Sequence, residues 1–277
     1  MTTGEIMTLL AVRDFHFKHN LGQNFLSDDH ALDEIIRLSG CTTDDPVLEI
    51  GAGAGTLTAK LADAAKQVYA VEIDEELSSF LEEVLRGKDN VSVICQDILS
   101  MDLASKVKEW AQDKDLRVIS NLPYYITSDI MEKLVLLENL PQSMTVMVQK
   151  EAAVHLLAHA GQRNCTPLSV MLEYLYRGDS VLDVPRTSFD PQPHIDSTVL
   201  HFEKKETSDP AVRKKLWKLL RISFRMRRKT WVNNLYPQLF KSREEAVQAV
   251  RSLGLDDRIR PEQVLLSQFL QMIENMP

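Results

Sequence analysis

Short apolar runs alternate with amphipathic stretches of about ten residues through the first half of the chain. "PVLEIG", "QVYAVEID", "VSVICQD", "RVISNL" and "SMTVMVQ" read as strands, and "TLTAKLADAA", "EELSSFLEEVLRG" and "SDIMEKLVLLENL" carry helical spacing between them. Strands whose residues are apolar on both faces, joined by crossover helices, predict a doubly wound, mostly parallel α/β sheet. An earlier helix, "HALDEIIRLSG", follows the N-cap types Ser27 and Asp28 and stops at Gly40. "SVLDVP" and "STVLHFE" add two closing strands, so the first domain is expected over residues 1–205. From 206 to 277 only helical patterns remain, "DPAVRKKLWKLLRISF", "REEAVQAVRSLG" and "RPEQVLLSQFLQMI", which predict a small all-helical C-terminal domain.

A chain of 277 residues is long enough for these two units. No apolar run approaches the ~20 residues of a membrane span. The N-terminus carries Glu5 and Asp14 and lacks a basic leader, so a cytoplasmic, membrane-free protein is expected. Cys41, Cys95 and Cys165 are scattered, and the His155/His159 pair lacks the glutamate of a zinc helix, so no metal is expected. Net charge is −8, yet Lys204 to Lys229 holds eleven Lys and Arg against Glu206 and Asp209. An acidic chain with one basic zone binds a polyanion locally rather than coating it.

"LEIGAGAGTLT" sits between the first strand and its helix, where glycines bring backbone N–H groups close to a ligand. Gly51, Gly53 and Gly55 are followed by Thr56, which is not the spacing of the NAD fingerprint. The Gly-x-Gly-x-Gly form resembles the loop of S-adenosylmethionine-dependent methyltransferases. Glu72 ends the second strand, placed to accept from ribose hydroxyls, and Asp97 ends the third, placed for an adenine amino group with Ile98 against the ring. "SNLPYY" ends the fourth strand on the same edge. The amine of adenine is a weak nucleophile because its lone pair is delocalised into the ring. The Asn121 side-chain carbonyl and the Leu122 backbone carbonyl are acceptors that would draw on its N–H bonds, Pro123 fixes the turn, and Tyr124 offers a stacking face.

"LGQNFL" (Leu21 to Leu26), "EIGAGAGTLT", "VEID", "QDIL", "SNLPYYIT", "VQKEAA", "SFDPQPHIDSTV" and "FRMRRKTWVNN" together span nearly the whole chain. In that order they resemble the ribosomal RNA adenine dimethyltransferases, most closely the branch acting on small-subunit (16S) rRNA. The resemblance implies a Rossmann-like methyltransferase domain that uses S-adenosylmethionine, with S-adenosylhomocysteine as product. It implies N6,N6-dimethylation of two adjacent adenines in the 3′-terminal hairpin loop of 16S rRNA, by direct in-line transfer, with a monomeric enzyme acting on an immature 30S particle.

Carried over by motif, Asn24, Leu26, Gly51, Gly53, Glu72, Asp97, Ile98 and Asn121 would hold the cofactor. Asn121, Leu122, Pro123 and Tyr124 would form the catalytic turn, with Phe189 as a second aromatic wall across the flipped adenine from Tyr124. Arg225, Arg227, Arg228 and Lys229 would contact RNA phosphates. The sequence departs from the usual pattern at Leu21, Ala52 and His194-Ile195, none of which removes a proposed acceptor, carboxylate or ring. Three other readings share parts of this pattern. They are a large-subunit rRNA adenine methyltransferase of the macrolide-resistance type, a DNA adenine methyltransferase, against which Asn121 speaks, and a non-catalytic ribosome-assembly or transcription factor on the same fold.

Overall fold

A computed structural model describes residues 1–13, 15, 22–111, 114–206 and 209–276. Leu21, the first residue of the "LGQNFL" motif, lies outside the described residues. In chain order the first elements are α1 (Thr3–Val12), β1 (Phe25–Leu26), α2 (Asp29–Ser39), β2 (Pro46–Ile50), α3 (Thr56–Ala64), β3 (Gln67–Glu72) and α4 (Glu75–Val84). There follow β4 (Val91–Cys95), α5 (Leu103–Ala111), β5 (Arg117–Asn121), α6 (Thr127–Val135), β6 (Ser143–Gln149), α7 (Lys150–Leu156) and α8 (Pro167–Leu175). The remainder comprises β7 (Tyr176–Val184), β8 (Phe189–Asp190), β9 (Ser197–Lys204), α9 (Pro210–Ser223), α10 (Trp231–Leu235), α11 (Arg243–Ser252) and α12 (Leu266–Glu274).

The main sheet has the order β4-β3-β2-β5-β6-β9-β7. β4 through β6 are mutually parallel, and β9 runs antiparallel to β6. The register is what makes a site: Ile50 pairs with Val71, Glu72 with Cys95, and Asn121 with Met147, so the carboxyl ends of the parallel strands are level. The chain order reverses outward from β2, which has β3 on one side and β5 on the other, and such switch points open a crevice at the strand ends. On one face α2 and α3 pack Leu32, Ile35, Leu57 and Leu61 against Val47, Val68 and Ile119. A second cluster joins Ile6 and Leu10 of α1 to Leu77, Phe80 and Leu81 of α4.

Two compact units result. One contains Met1–Ala153 and Gly178–Lys204; the other contains Val154–Arg177 and the chain from Lys205 onward. The expected boundary near Lys205 falls at the end of β9, but the helical unit also takes in 154–177, a segment the sequence reading left in the first domain. Its α8 packs on α9, which in turn meets α10 and α12. Trp231 and Phe269, both fully buried, meet edge to face at 5.4 Å, and the Trp231 indole N–H donates to Ser223 Oγ at 2.7 Å. Such a satisfied aromatic centre lets a small helical unit hold one packing, because neither the rings nor the indole donor is left uncompensated.

Local chemistry explains the elements the sequence left out. α1 lies in an N-terminal stretch to which no element was assigned. It forms because Thr2 and Glu5 close a reciprocal capping box and Ile6 and Leu10 have a core to enter. In α5, Val107 and Trp110 are buried, and the Trp110 ring stacks on Tyr69 at 4.5 Å. "SVLDVP" is the end of a longer strand, β7, that begins at Tyr176.

Candidate active site

The strand ends meet in a cavity of about 900 Å³, counted out into open solvent. Its floor is the loop after β2. Gly51 has φ 74°, and a Cβ there would lie 2.9 Å from Pro123 Cγ, so only glycine lets this loop close against the turn after β5. Gly53, at φ 58°, is held equally close to the Phe25 ring. The Gly51 and Ala52 N–H groups are spent on the Val71 carbonyl, and the Gly53 N–H donates to Glu72 Oε2 at 2.8 Å.

Glu72 is buried at the end of β3, and its other oxygen accepts the Asp74 N–H at 2.9 Å. Burial raises its pKa, and the backbone donors of Asp74, Gly53 and Ile73 oppose the rise. Asp97 follows β4, with Oδ1 accepting the Leu99 N–H at 2.8 Å, and Ile98 is buried beside it. Leu26 pairs with Phe189 through β1 and β8, and its carbonyl accepts from the Thr56 hydroxyl at 2.8 Å. Asn24 turns its side-chain amide back onto the Gly22 carbonyl and offers its own carbonyl to Asn121 Nδ2 at 3.5 Å. That contact orients the Asn121 amide, and its Oδ1 is left buried without a hydrogen-bond partner among the described residues. Leu122 is buried, its N–H donating to the Met147 carbonyl at 3.1 Å. The Pro123 carbonyl closes the following turn by accepting from Ile126 N–H and the Thr127 hydroxyl. Tyr124 lines the cavity with its hydroxyl 2.6 Å from Ser197 Oγ.

Thus Asn24, Leu26, Gly51, Gly53, Glu72, Asp97, Ile98, Asn121, Leu122, Pro123 and Tyr124 all line one cavity. Phe189 does not. It is 4% exposed and packs in the core with Leu26, Leu32 and Val199, against the strand that carries the lining residue Leu26. The physical reason is the β1–β8 pairing, which sets Phe189 opposite Leu26 and gives its ring an apolar bed.

Two titratable lining residues were passed over in the sequence reading. Glu49 stands within β2, 2% exposed, and its Oε2 makes no hydrogen bond of standard geometry among the described residues. Burial above all, and then the Glu72 charge, push its carboxyl up to about 8, while the Thr58 hydroxyl beside it pulls the other way. An acid in the middle of the apolar run "PVLEI" was the available signal. Tyr125 is 49% exposed at the cavity mouth; burial, Asp97 and Glu72 each raise its pKa.

The donor set fits S-adenosylmethionine. Glu72 and Asp97 line the cavity as acceptors for the hydroxyl and amino donors of such a ligand, and the glycine loop admits a close backbone approach. Among the described residues no group of three or more His, Cys, Asp and Glu could hold a metal ion, and no helix is long and apolar enough to cross a membrane.

In the helical unit, Arg225, Arg227, Arg228 and Lys229 are all exposed on the turn after α9. The turn is pinned from within by the buried Asn234, whose side chain bonds both the N–H and the carbonyl of Met226. Arg227 also donates to the Arg163 and Cys165 carbonyls at 3.3 and 3.4 Å.

A parallel sheet with its switch point at a Gly-x-Gly-x-Gly loop, followed by an acid at each of the next two strand ends and Asn-Leu-Pro-Tyr at the third, defines an S-adenosylmethionine-dependent methyltransferase. The family model for ribosomal RNA adenine dimethylase matches residues 14–276, and the chain belongs to that family. A ribosomal RNA small subunit methyltransferase A from Geobacillus thermodenitrificans is 40% identical over 98% of this chain and 94% of its own length. A dimethyladenosine transferase from Plasmodium falciparum superposes with a TM-score of 0.74 at 25% identity, covering 90% of this chain and 95% of its own. The 23S rRNA methyltransferase ErmE gives 0.68 at 26% identity, covering 91% and 99%.

Proposed function

We propose that this enzyme dimethylates the N6 amines of two adjacent adenines in the 3′-terminal hairpin loop of small-subunit rRNA, acting as a monomer on an immature 30S particle in the cytoplasm. The 40% identity to a small-subunit methyltransferase over nearly the whole of both chains supports the small subunit as substrate. The observation that carries the chemistry is the Asn121 side-chain oxygen, buried at the cavity without a partner among the described residues. An unsatisfied acceptor of this kind costs free energy until a donor arrives, and the N6–H of a flipped adenine is such a donor.

Bound S-adenosylmethionine supplies a methyl group activated by positively charged sulfur. Glu72 would receive its ribose hydroxyls and Asp97 its adenine amino group, with Ile98, Asn24, Leu26 and the Gly51–Gly53 loop completing the pocket. At the acceptor, Asn121 Oδ1 and the Leu122 carbonyl take the N6 hydrogens, so the nitrogen lone pair leaves conjugation and becomes nucleophilic. Pro123 holds that turn rigid. Tyr124 stacks on the base, and the face of its ring favours the positive charge that develops on N6. The displaced proton passes to solvent. After the first methylation the remaining N–H rotates onto the same acceptors for the second. Arg225, Arg227, Arg228 and Lys229 bind phosphates of the RNA.

The test is mass spectrometry of adenines in immature small subunits, mature small subunits and large-subunit rRNA after incubation with the purified chain and S-adenosylmethionine. Two neighbouring dimethyladenines in the 3′ hairpin of immature small-subunit RNA are expected. Modification of large-subunit RNA alone overturns the substrate assignment, and absence of any modification overturns the catalytic reading.

A further inference from the structure

Tyr124 and Ser197 are 73 positions apart, yet their hydroxyls meet at 2.6 Å beside the cavity. We propose that Ser197 is a positioning residue for the substrate base, its hydroxyl fixing the Tyr124 ring on which the adenine stacks. The proposal rests on the stacking role given to Tyr124 above and adds what holds the ring in place.

Ser197 has almost no freedom of its own. It is fully buried as the first residue of β9, where it pairs with Gln149 of β6. The preceding residue is tied on two sides: the Asp196 carbonyl accepts the Lys150 N–H at 3.2 Å, and its carboxylate accepts the Arg186 N–H at 2.9 Å. The following residue, Thr198, bonds both the Ser180 hydroxyl and the Leu182 carbonyl. Ser197 Oγ is therefore a fixed post. Tyr124, by contrast, sits on a single 3₁₀ turn, Tyr124–Ile126, and its long side chain swings about two torsions. A hydrogen bond at the far end of the ring holds the first torsion, which sets where the ring stands; the second turns the ring about an axis that passes through the hydroxyl.

Fixing the ring matters because the adenine amine has to meet Asn121 Oδ1 in one orientation, and losses of alignment of about 1 Å reduce rates by roughly two orders of magnitude. The requirement is sharper in the second transfer. An unmethylated amine has two N–H bonds and tolerates some rotation of the base, whereas the monomethylated amine has one. A loosened platform should thus release more monomethyl product, which general loss of stability would not cause.

The experiment uses the full chain and immature small subunits with Ser197→Ala, Ser197→Thr, Tyr124→Phe, Tyr124→Ala and the double variant Ser197→Ala/Tyr124→Phe. Melting temperature and S-adenosylmethionine affinity serve as controls. Ser197→Ala is expected to lower kcat about tenfold with less than about twofold change in KM for the particle, the pattern of an interaction that matters at the transition state. It should also raise the ratio of mono- to dimethyladenine. Tyr124→Phe, which keeps the ring and loses the bond, should match it, the double variant should be no worse than either, and Ser197→Thr should recover most of the rate. If Ser197→Ala folds poorly, Tyr124→Phe breaks the same bond without touching β9. Normal kcat and product ratio in Tyr124→Phe, with Tyr124→Ala inactive, overturns the proposal and leaves stacking intact. Additive losses in the double variant also overturn it. An active Tyr124→Ala overturns the stacking reading itself.

Discussion

Glu72 Oε2 accepts the Gly53 N–H at 2.8 Å, so the acid at the end of one strand is locked to the glycine loop at the end of its neighbour. The carboxylate therefore shapes the loop, and in the proposed function it also receives the ligand. Glu72→Ala should weaken S-adenosylmethionine binding by roughly 1.5–3 kcal/mol, the scale of hydrogen bonds to a charged group. Glu72→Gln should lose less, since it keeps one acceptor. Calorimetry on folded variants decides, and unchanged affinity in Glu72→Ala removes the assignment.

Glu49 should be visible as a pH dependence of stability in the free protein. Its carboxyl is pushed from the ordinary 4.5 up to about 8. Between those values the folded chain keeps a proton that the unfolded chain has lost. Its contribution is therefore whole below the ordinary value, falls as pH rises to about 8, and is flat above that. Glu49→Gln is neutral throughout and abolishes this decline. In thermal melts without cofactor, the variant should gain on the parent protein from pH 5 to 8 by on the order of several degrees. Parallel curves would mean that Glu49 is ionised in the fold.

Asn121→Ala should lower methyl transfer about 10²–10³-fold, the range for deleting one preorganised hydrogen-bonding group at a reacting centre. Binding to small subunits should persist, because the proposed function assigns affinity to phosphate contacts elsewhere. Single-turnover transfer and a binding assay on the same variant separate the two. Near-normal turnover would assign the acceptor role to another group.

For the basic turn, replacing Arg225, Arg228 and Lys229 together should reduce RNA affinity and flatten its dependence on salt by about one log–log unit per lost phosphate contact. Arg227 is better tested separately, since it also bonds the Arg163 and Cys165 carbonyls. Cofactor affinity should not move. A folded triple variant with the parent's salt slope would return these residues to the ordinary surface.

The site was legible in the sequence wherever a residue's task follows from its place at a strand end. Gly51, Glu72, Asp97 and Asn121 could be read this way because parallel strands in register bring their carboxyl ends to one edge. Glu49 escaped because its run was read as uniformly apolar, and only burial shows that one of its oxygens makes no hydrogen bond of standard geometry among the described residues. Phe189 was read by motif, whereas the short β1–β8 pairing, invisible to periodicity, directs it into the core. Ser197 looked like the first residue of a strand; its contact with Tyr124 depends on β9 lying beside β6. The helical unit was half legible: the patterns after Lys205 were clear, but nothing local says that 154–177 packs with them.

That last arrangement bears on how such a protein can change over generations. The helical unit is assembled from two stretches of chain with part of the sheet unit between them. A gene exchange with one junction near Lys205 would import α9 to α12 while leaving α8 native, and α8 presents Val170, Met171, Leu172 and Leu175 as buried residues. The α8 face that packs on α9 would then meet a foreign helix. Transplanting the unit intact takes junctions on both sides of 154–177 as well as one near Lys205, so α8 and α9 are expected to be inherited together and to vary in concert.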